Sequence, residues 1–336
     1  MEGNLNSILT LFGGLALFLY GMDELSRGLE AAAGERMRAL LAALTGEPVR
    51  SVLTGLAVTA VLQSSSAVTV MLIGLVSAGL IPLRRAVPVL FGANIGTTVT
   101  AQLLAFRLED ARWAVLFAGV MLGFFCRSKK GKAAARALAG FGLLFEGLAV
   151  MGTALAPLAE GELLRGWMLR VRADPLLGAL TGLCMTLTVQ SSSATIAMLQ
   201  NLAAQPGASG GSLLGLAGAL PILLGDNVGT TITAILASLG RSRDAKRTAA
   251  AHAVFNLSGA VVFCGLLPQF VRLTEAVSPK GPETGVIARQ IANAHTLFNL
   301  ICTLVWLPLT PVMVRLVTKL VPDASPKQER NTETRS

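Results

Sequence analysis

The pentapeptide Gln63-Ser64-Ser65-Ser66-Ala67 decides the fold, because it interrupts a run without Asp, Glu, Lys or Arg that extends from 51 to 83. The same pentapeptide returns at 190–194, inside a second uncharged run from 175 to 225. Uncharged runs of this length are typical of membrane-embedded segments. Neither half of an interrupted run is long enough, as a helix, to cross a hydrocarbon core of about 30 Å. We therefore predict two re-entrant helical hairpins, at 49–83 and 174–206, with the serines at their tips.

The composition indicates an integral membrane protein. Of the 336 residues, 53% are apolar and 14% are charged, whereas about 25% of the residues of an ordinary soluble domain are charged. No basic residue precedes the first apolar segment, which starts at Ile8, so we expect it to remain as a span and not to be cleaved as a signal peptide. The sequence predicts an all-α membrane protein with about seven transmembrane helices, at 8–25, 84–106, 112–127, 133–156, 212–240, 248–271 and 286–315.

The net charge of +9 is concentrated in short connectors at 84–85, 127–136 and 241–247 and in the tail. Basic connectors of this kind face the cytoplasm in multi-pass proteins. We therefore predict a protein of the plasma or inner membrane, with the N-terminus outside and the C-terminus in the cytoplasm. No basic stretch is interleaved with aromatic residues, so nucleic acid is not an expected partner. The four cysteines lack paired or metal-type spacing and are expected to be packing residues.

A second motif follows each pentapeptide in register. It reads Gly92-Ala93-Asn94-Ile95-Gly96-Thr97-Thr98 in the first copy and Gly225-Asp226-Asn227-Val228-Gly229-Thr230-Thr231 in the second. An amphipathic stretch precedes each hairpin, at 25–44 and 163–171. Because each copy has three spans, an odd number, we expect the copies to be inverted, with a site near the membrane midplane. The predicted division is repeat 1 at 1–130, repeat 2 at 131–272, an extra span at 273–320 and a polar tail at 321–336.

The doubled motifs can form one site for an anion and a small cation. A helix that restarts in the membrane offers free N–H groups to an anion, and a helix that ends there offers carbonyl oxygens to a cation. Small residues also occur in membrane helices simply for close packing, but the recurrence of both motifs in register favours a site. We expect the two glycines of each second motif, Gly92 with Gly96 and Gly225 with Gly229, to permit a further irregular stretch. Neither motif contains Lys or Arg, so a co-bound cation such as sodium is expected to compensate the anion.

Four further polar residues lie in apolar segments. We favour Asp226 as a cation ligand, with a hydrogen-bonded structural role as the alternative. Glu146 fits either a polar bond between helices or an ion contact. His252 and His295 occur in matching phrases, and we favour hydrogen bonds between helices over a proton relay for both.

These residues resemble the sodium-dependent phosphate cotransporter family, which comprises the type II sodium/phosphate cotransporters and their bacterial relatives. The resemblance rests on the paired Gln-Ser-Ser-Ser and Asn-x-Gly-Thr-Thr motifs and on the His-x-x-Phe-Asn phrases at 252–256 and 295–299. It implies inward cotransport of inorganic phosphate with sodium. The implied phosphate ligands are Gln63, Ser64, Ser65, Ser66, Ser191, Ser192, Ser193, Asn94 and Asn227. The sodium ligands, with Asp226 added from its position, are Gln63, Ser66, Thr97, Thr98, Gln190, Ser191, Ser193, Asp226, Thr230 and Thr231.

Three other functions stay open at this point. The same cage of hydroxyl and N–H groups fits other tetrahedral oxyanions, with sodium or protons as the coupling ion. An intramembrane serine hydrolase is disfavoured because neither a Gly-x-Ser-x-Gly elbow nor a Ser/Lys pair is present. A channel is the third alternative. We expect no cofactor beyond transported sodium, expect lipid contact, and leave the oligomeric state open. The family usually has a small or uncharged residue at the position of Asp226, so the number of sodium ions also stays open.

Overall fold

A computed structural model describes residues 2–33, 47–106, 111–207 and 210–323. The regular secondary structure of these residues is α-helical, as the sequence predicts. The helices in chain order are α1 (Glu2–Ala33), α2 (Pro48–Leu62), α3 (Ser65–Ser77), α4 (Leu83–Leu104), α5 (Ala111–Phe125), α6 (Lys129–Glu160), α7 (Glu162–Ala173), α8 (Pro175–Val189), α9 (Ser192–Ala204), α10 (Gly215–Gly229), α11 (Thr231–Ser238), α12 (Arg243–Gly265), α13 (Leu267–Ala276), α14 (Glu283–Trp306) and α15 (Thr310–Leu320).

Five helical segments in the described part of the chain are long and apolar enough to cross a membrane: α1, α4, α6, α10 with α11, and α12. A sixth span exists if α14 and α15 are counted together. The helix at the predicted span 112–127 is α5, which has 15 residues. At about 1.5 Å per residue it measures about 22 Å, shorter than a hydrocarbon core. The multi-span architecture is confirmed, and the count differs from seven mainly at α5.

Two predicted spans contain a break that the sequence analysis did not place. The span 286–315 consists of α14 and α15, whose axes differ by 89°. Pro308 and Pro311 lie at this bend. The span 248–271 is interrupted at Leu266, immediately before the proline-containing start of α13. Proline lacks the N–H that would continue the helix, which explains both breaks.

Each Gln-Ser-Ser-Ser motif separates two short helices, as predicted. α2 and α8 have 15 residues each, and α3 and α9 have 13 each. These lengths correspond to about 22 and 20 Å, so no single one of them crosses the membrane. The helix pairs therefore form the two re-entrant hairpins.

Glycines let each hairpin lie directly on the helix that carries the second motif. A Cβ added to Gly55 would be 2.1 Å from the carbonyl oxygen of Val89, and one added to Gly92 would be 1.9 Å from that of Val52. In the second repeat, a Cβ on Gly182 would lie 1.9 Å from the oxygen of Ile222. The expected irregular stretch at Gly92 and Gly96 is wrong, because α4 continues through both residues. These glycines serve close helix packing instead, while the second repeat has a one-residue interruption at Thr230.

The first helices of the two repeats, α1 and α6, also pack through small residues. A Cβ on Gly21 would lie 2.4 Å from the backbone nitrogen of Leu144, and a Cβ on Gly147 would lie 2.3 Å from that of Phe18. This contact holds α1 beside both hairpins. The amphipathic stretch at 163–171 is the helix α7. The first amphipathic stretch beyond residue 33, and the tail beyond 323, lie outside the described residues.

Candidate functional site

The two hairpin tips have the same backbone geometry. Gln63 ends α2 with a φ of 54°, and Gln190 ends α8 with a φ of 55°. They are the non-glycine residues with positive φ in the described part of the chain. This left-handed conformation costs an L-residue about 1–2 kcal/mol. The same backbone conformation therefore recurs at equivalent positions of the two repeats, which makes the two tips the candidate functional site.

The serine after each glutamine caps the next helix. The Oγ of Ser64 accepts a hydrogen bond from the N–H of Ala67 at 3.2 Å, and the Oγ of Ser191 accepts one from Ala194 at 3.3 Å. Serine is favoured at this position because it satisfies one of the free N–H groups of a helix start. The backbone N–H groups of the next two serines have no helical carbonyl one turn earlier to which they could donate. Each tip thus presents two N–H donors and the positive end of a helix dipole.

Both tips face one cavity of about 440 Å³, which we call the vestibule. Its walls include all eight residues of the two Gln-Ser-Ser-Ser motifs. Oxyanions bind well at such paired helix starts. The structure therefore brings seven of the nine predicted phosphate ligands together around a single space, whereas Asn94 and Asn227 line a different cavity.

One face of α1, whose residues were not among the predicted ligands, completes the vestibule. Asp23, Ser26, Arg27 and Glu30 line the cavity. Arg27 pairs with Asp23 at 2.9 Å, and the Ser26 hydroxyl donates to the carbonyl of Leu62 at 2.8 Å. The charges of this face are one positive and two negative, so the face does not compensate an anion. The signal was present in the sequence, since four polar residues at helical spacing are unusual in an apolar span.

The glutamines differ between the repeats. Gln63 is buried, and its side chain donates to the carbonyl of Ala60 and accepts a hydrogen bond of 2.8 Å from Thr100. Gln190 is exposed to the vestibule and has no side-chain partner among the described residues. A ligand can therefore reach Gln190 directly, whereas Gln63 must first give up bonds that hold the tip to α4.

A second, smaller cavity lies behind the tips, and we call it the inner cavity. Its volume is about 10 Å³, close to that of one water-sized sphere. Three pairs of equivalent residues from the two repeats contribute to its walls. The lining residues are Ser65 and Ser192, Asn94 and Asn227, Thr97 and Thr230, with Asn256 and His295. Hydroxyl and carboxamide oxygens around so small a space suit a dehydrated monovalent cation.

The histidines position the asparagines of the inner cavity. His252 Nε2 lies 3.0 Å from Asn94 Oδ1, and His295 Nε2 lies 3.2 Å from Asn227 Oδ1. Asn227 also donates from Nδ2 to the carbonyl of Leu223 at 2.8 Å, which fixes its Oδ1 toward the histidine. The Nε2–H group of the histidine is thus the donor. The predicted interhelical hydrogen bonds of both histidines are confirmed.

Asp226 lies beside the inner cavity without lining it. The residue is 0% exposed, and its Oδ1 accepts a hydrogen bond of 2.6 Å from Thr186. The Thr186 Oγ1 in turn lies 3.2 Å from the Thr195 Oγ1, so a second hydroxyl adjoins the one that contacts the carboxylate. The other carboxylate oxygen, Oδ2, has no partner among the described residues. A buried carboxylate oxygen without a hydrogen-bond partner lowers the stability of the fold by roughly 1–3 kcal/mol or more unless a ligand or a proton binds it.

The remaining predicted ligands divide into two groups. Thr97 and Thr230 line the inner cavity, although their hydroxyls donate to carbonyls one turn back. Thr98 and Thr231 donate to Ile95 and Val228 at 2.8 and 2.7 Å and line neither cavity. Thr98 and Thr231 were predicted to bind sodium, but in this structure their hydroxyls donate to carbonyls of their own helices.

Glu146 takes part in an ion pair away from both cavities. Arg112 Nε lies 2.8 Å from Glu146 Oε2, and both side chains are about one fifth exposed, at 22% and 19%. This contact joins α5 to α6. The choice left open by the sequence is therefore decided for a bond between helices.

Comparison with known proteins agrees with the arrangement of two repeats. The sequence model of the Na+/Pi-cotransporter family matches residues 17–153 and matches again at 147–278. The chain belongs to the Na+/Pi-cotransporter family. This is a family of transporters, so the serine motifs belong to a transporter and not to a hydrolase, and the apolar helices make the chain a multi-pass membrane protein.

Individual relatives of this family carry different names. "Uncharacterized protein YqeW" of Bacillus subtilis is 32% identical over 274 residues, which cover 81% of this chain and 87% of that protein. "Putative inorganic phosphate export protein YjbB" of Escherichia coli is 28% identical over 80% of this chain, which spans 47% of the length of YjbB. "Sodium-dependent phosphate transport protein 2A" of the rat is 35% identical over 97 residues, 28% of this chain and 15% of the rat protein. No solved structure matches the chain.

Proposed function

We propose that this chain is a sodium-coupled symporter that takes up inorganic phosphate, with phosphate in the vestibule and sodium in the inner cavity. The observation that carries the proposal is the convergence of both hairpin tips on one space. Membership of the Na+/Pi-cotransporter family supports phosphate as the anion and sodium as the coupling ion. The match of the family to two segments supports two repeats. Their inverted orientation is proposed from three membrane crossings in each repeat, with α5 counted as one of them.

The proposed phosphate site uses the start of α3 and the start of α9. The N–H and hydroxyl groups of Ser65, Ser66, Ser192 and Ser193 supply donors from two sides, and Gln190 adds a side chain that can turn toward the ligand. Asn94 Nδ2 is buried without a partner among the described residues and offers one more donor at the inner end. A tetrahedral anion with several acceptor oxygens fits such converging donors.

The proposed sodium site follows from the charge of the surroundings. The vestibule residues of α1 carry one positive and two negative side chains, so bound phosphate lacks a compensating protein charge. One cation at about 4 Å contributes roughly 4 kcal/mol at an effective dielectric of 20. Ser65 and Ser192 face both cavities, so a cation in the inner cavity lies next to the anion. Each ion then raises the affinity for the other by linkage.

Asp226 is proposed as part of a second cation site. Its free Oδ2, the hydroxyls of Thr186 and Thr195 and the nearby backbone oxygens form a buried group of oxygens. The first repeat has Ala93 at the equivalent position, so only the second repeat holds this carboxylate. This difference makes the second repeat the place where the number of sodium ions per phosphate is set.

The inward direction of transport is proposed from the sodium coupling, because an inwardly directed sodium gradient would draw phosphate into the cell. With the N-terminus outside, residues 23–30 of α1, which line the vestibule, are expected to lie near the cytoplasm. A relative named for phosphate export makes the opposite direction the alternative to be tested.

Binding measurements on the purified protein test the proposal. We expect labelled phosphate to bind in sodium but not in potassium, and we expect Ser65→Ala and Ser192→Ala each to weaken that binding about tenfold or more. Ser238→Ala is the matched control, because Ser238 is also buried but donates to its own helix at 2.8 Å and lines neither cavity. Equal binding in sodium and potassium would contradict the coupling, and an effect of only one of the two serines would contradict a site shared by the repeats.

A further inference from the structure

A third cavity, of about 670 Å³, lies apart from the vestibule and the inner cavity. Three helices begin at its walls: α2, α4 and α15. Residues from the first turns of these helices line it, together with the chain before α15. The lining residues are Glu47, Pro48, Ser51, Arg84, Arg85, Pro88, Leu307, Pro308, Thr310 and Pro311. We call this space the basic cleft.

The electrostatics of the basic cleft favour an anion. None of the three helix starts has a side-chain cap among the described residues. At α15, Thr310 and Val312 donate to the carbonyls of Leu307 and Leu309 and Pro311 has no N–H, so free N–H groups are expected only at the starts of α2 and α4. The positive ends of three helix dipoles meet there. Arg84 and Arg85 are exposed, and neither has an acidic partner among the described residues. Glu47 is the acidic residue of the lining and lies 3.4 Å from Arg50.

A buried hydroxyl points to a ligand independently of the helix starts. Ser51 is 1% exposed and lines the cleft, yet its Oγ has no hydrogen-bond partner among the described residues. A serine within a helix usually donates to the carbonyl one turn back, as Thr54 does at 2.8 Å on the same helix. The Ser51 hydroxyl reaches the cleft, so it can donate to an acceptor oxygen of a bound anion.

We propose that the basic cleft binds a phosphate-bearing anion, which Arg84 and Arg85, the hydroxyl of Ser51 and the starts of α2 and α4 hold together. Under the predicted topology the basic connector 84–85 is cytoplasmic, so the cleft opens at the cytoplasmic leaflet. Basic pockets between membrane helices on this side bind anionic lipid headgroups. The apolar walls at Pro88, Leu307 and Pro308 suit the glycerol and acyl part of a lipid better than they suit a free ion.

Titration of the full-length protein in detergent tests the proposal. The probes are water-soluble dioctanoyl-phosphatidylglycerol, dioctanoyl-phosphatidylcholine and inorganic phosphate. We expect phosphatidylglycerol to bind, and we expect Arg84→Gln with Arg85→Gln to weaken its binding roughly 30-fold, since each surface arginine contributes about a fivefold factor. Lys129→Gln with Lys130→Gln is the matched control, because it removes the same charge from another exposed connector. Ser51→Ala should weaken the same binding by a smaller factor of about 5.

Each outcome decides the proposal. Loss of phosphatidylglycerol binding in the arginine variant and in Ser51→Ala, but not in the lysine variant, supports a lipid as the occupant. The same pattern with inorganic phosphate alone identifies a free anion at the same cleft. Equal losses in the arginine and lysine variants would show that surface charge alone attracts the lipid and would overturn the site. Should the arginine variant fail to fold, unchanged binding in Ser51→Ala overturns it equally.

Discussion

Replacing Thr186 by valine tests whether the buried carboxylate of the second repeat takes part in sodium binding. The substitution keeps the shape of the side chain but removes the hydroxyl that lies 2.6 Å from Asp226 Oδ1. Hydrogen bonds to charged groups contribute about 1.5–3 kcal/mol. A loss of about 2 kcal/mol corresponds to a decrease of roughly 30-fold in sodium affinity if the carboxylate that binds the ion is no longer held.

The first repeat supplies the control for this experiment. Thr59 occupies the equivalent position, is 0% exposed, and its hydroxyl has no partner among the described residues. Thr59→Val therefore removes no hydrogen bond and is expected to leave the protein as stable as the wild type or more so. The assay is the sodium concentration that gives half-maximal phosphate uptake into proteoliposomes, together with the midpoint of thermal unfolding. Equal changes in Thr186→Val and Thr59→Val would refute the reasoning.

Three further predictions follow from the packing and the vestibule. Gly55→Ala should prevent stable folding, because its Cβ would lie 2.1 Å from a carbonyl oxygen. Gly74→Ala has open space around the new Cβ and should raise the unfolding temperature slightly. Equal unfolding temperatures of the two variants would argue against the close helix contact. Arg27→Gln should raise the KM for phosphate several-fold with little loss of stability, since its ion pair is exposed; an unchanged KM would remove Arg27 from the phosphate path. His295→Leu should lower the free energy of unfolding by about 1–3 kcal/mol and reduce transport, because Asn227 loses its hydrogen-bond donor. His295→Gln should retain more stability and more transport, and similar transport by the two variants would contradict this role of His295.

Local features of the site could be read from the sequence. The helix breaks at Gln63 and Gln190 depend on neighbouring residues and occur where predicted, and the structure adds the serine cap that follows each of them. The division of the chain into two repeats also follows from motif recurrence alone. These predictions succeed because capping and helix termination are decided within a few residues of the chain.

Features that depend on tertiary contacts could not be read in the same way. The pairing of His252 with Asn94 joins residues that are 158 positions apart, and the phrase around the histidine does not identify its partner. The role of Gly92 was misassigned because close packing and backbone irregularity both favour glycine. The α1 face of the vestibule was missed because the sequence shows polar residues at helical spacing but does not show that they lie beside the tips.

We propose above that phosphate and sodium move together through the space between the two tips. The most direct measurement is the uptake of labelled phosphate into proteoliposomes of known protein orientation, with a sodium gradient directed inward, directed outward, or replaced by potassium or by a proton gradient. We predict accumulation that follows the direction of the sodium gradient, that is absent in potassium and in a proton gradient alone, and that is abolished when Ser65 and Ser192 are both changed to alanine. Phosphate flux that ignores the sodium gradient, or that persists in the double variant, would contradict the account.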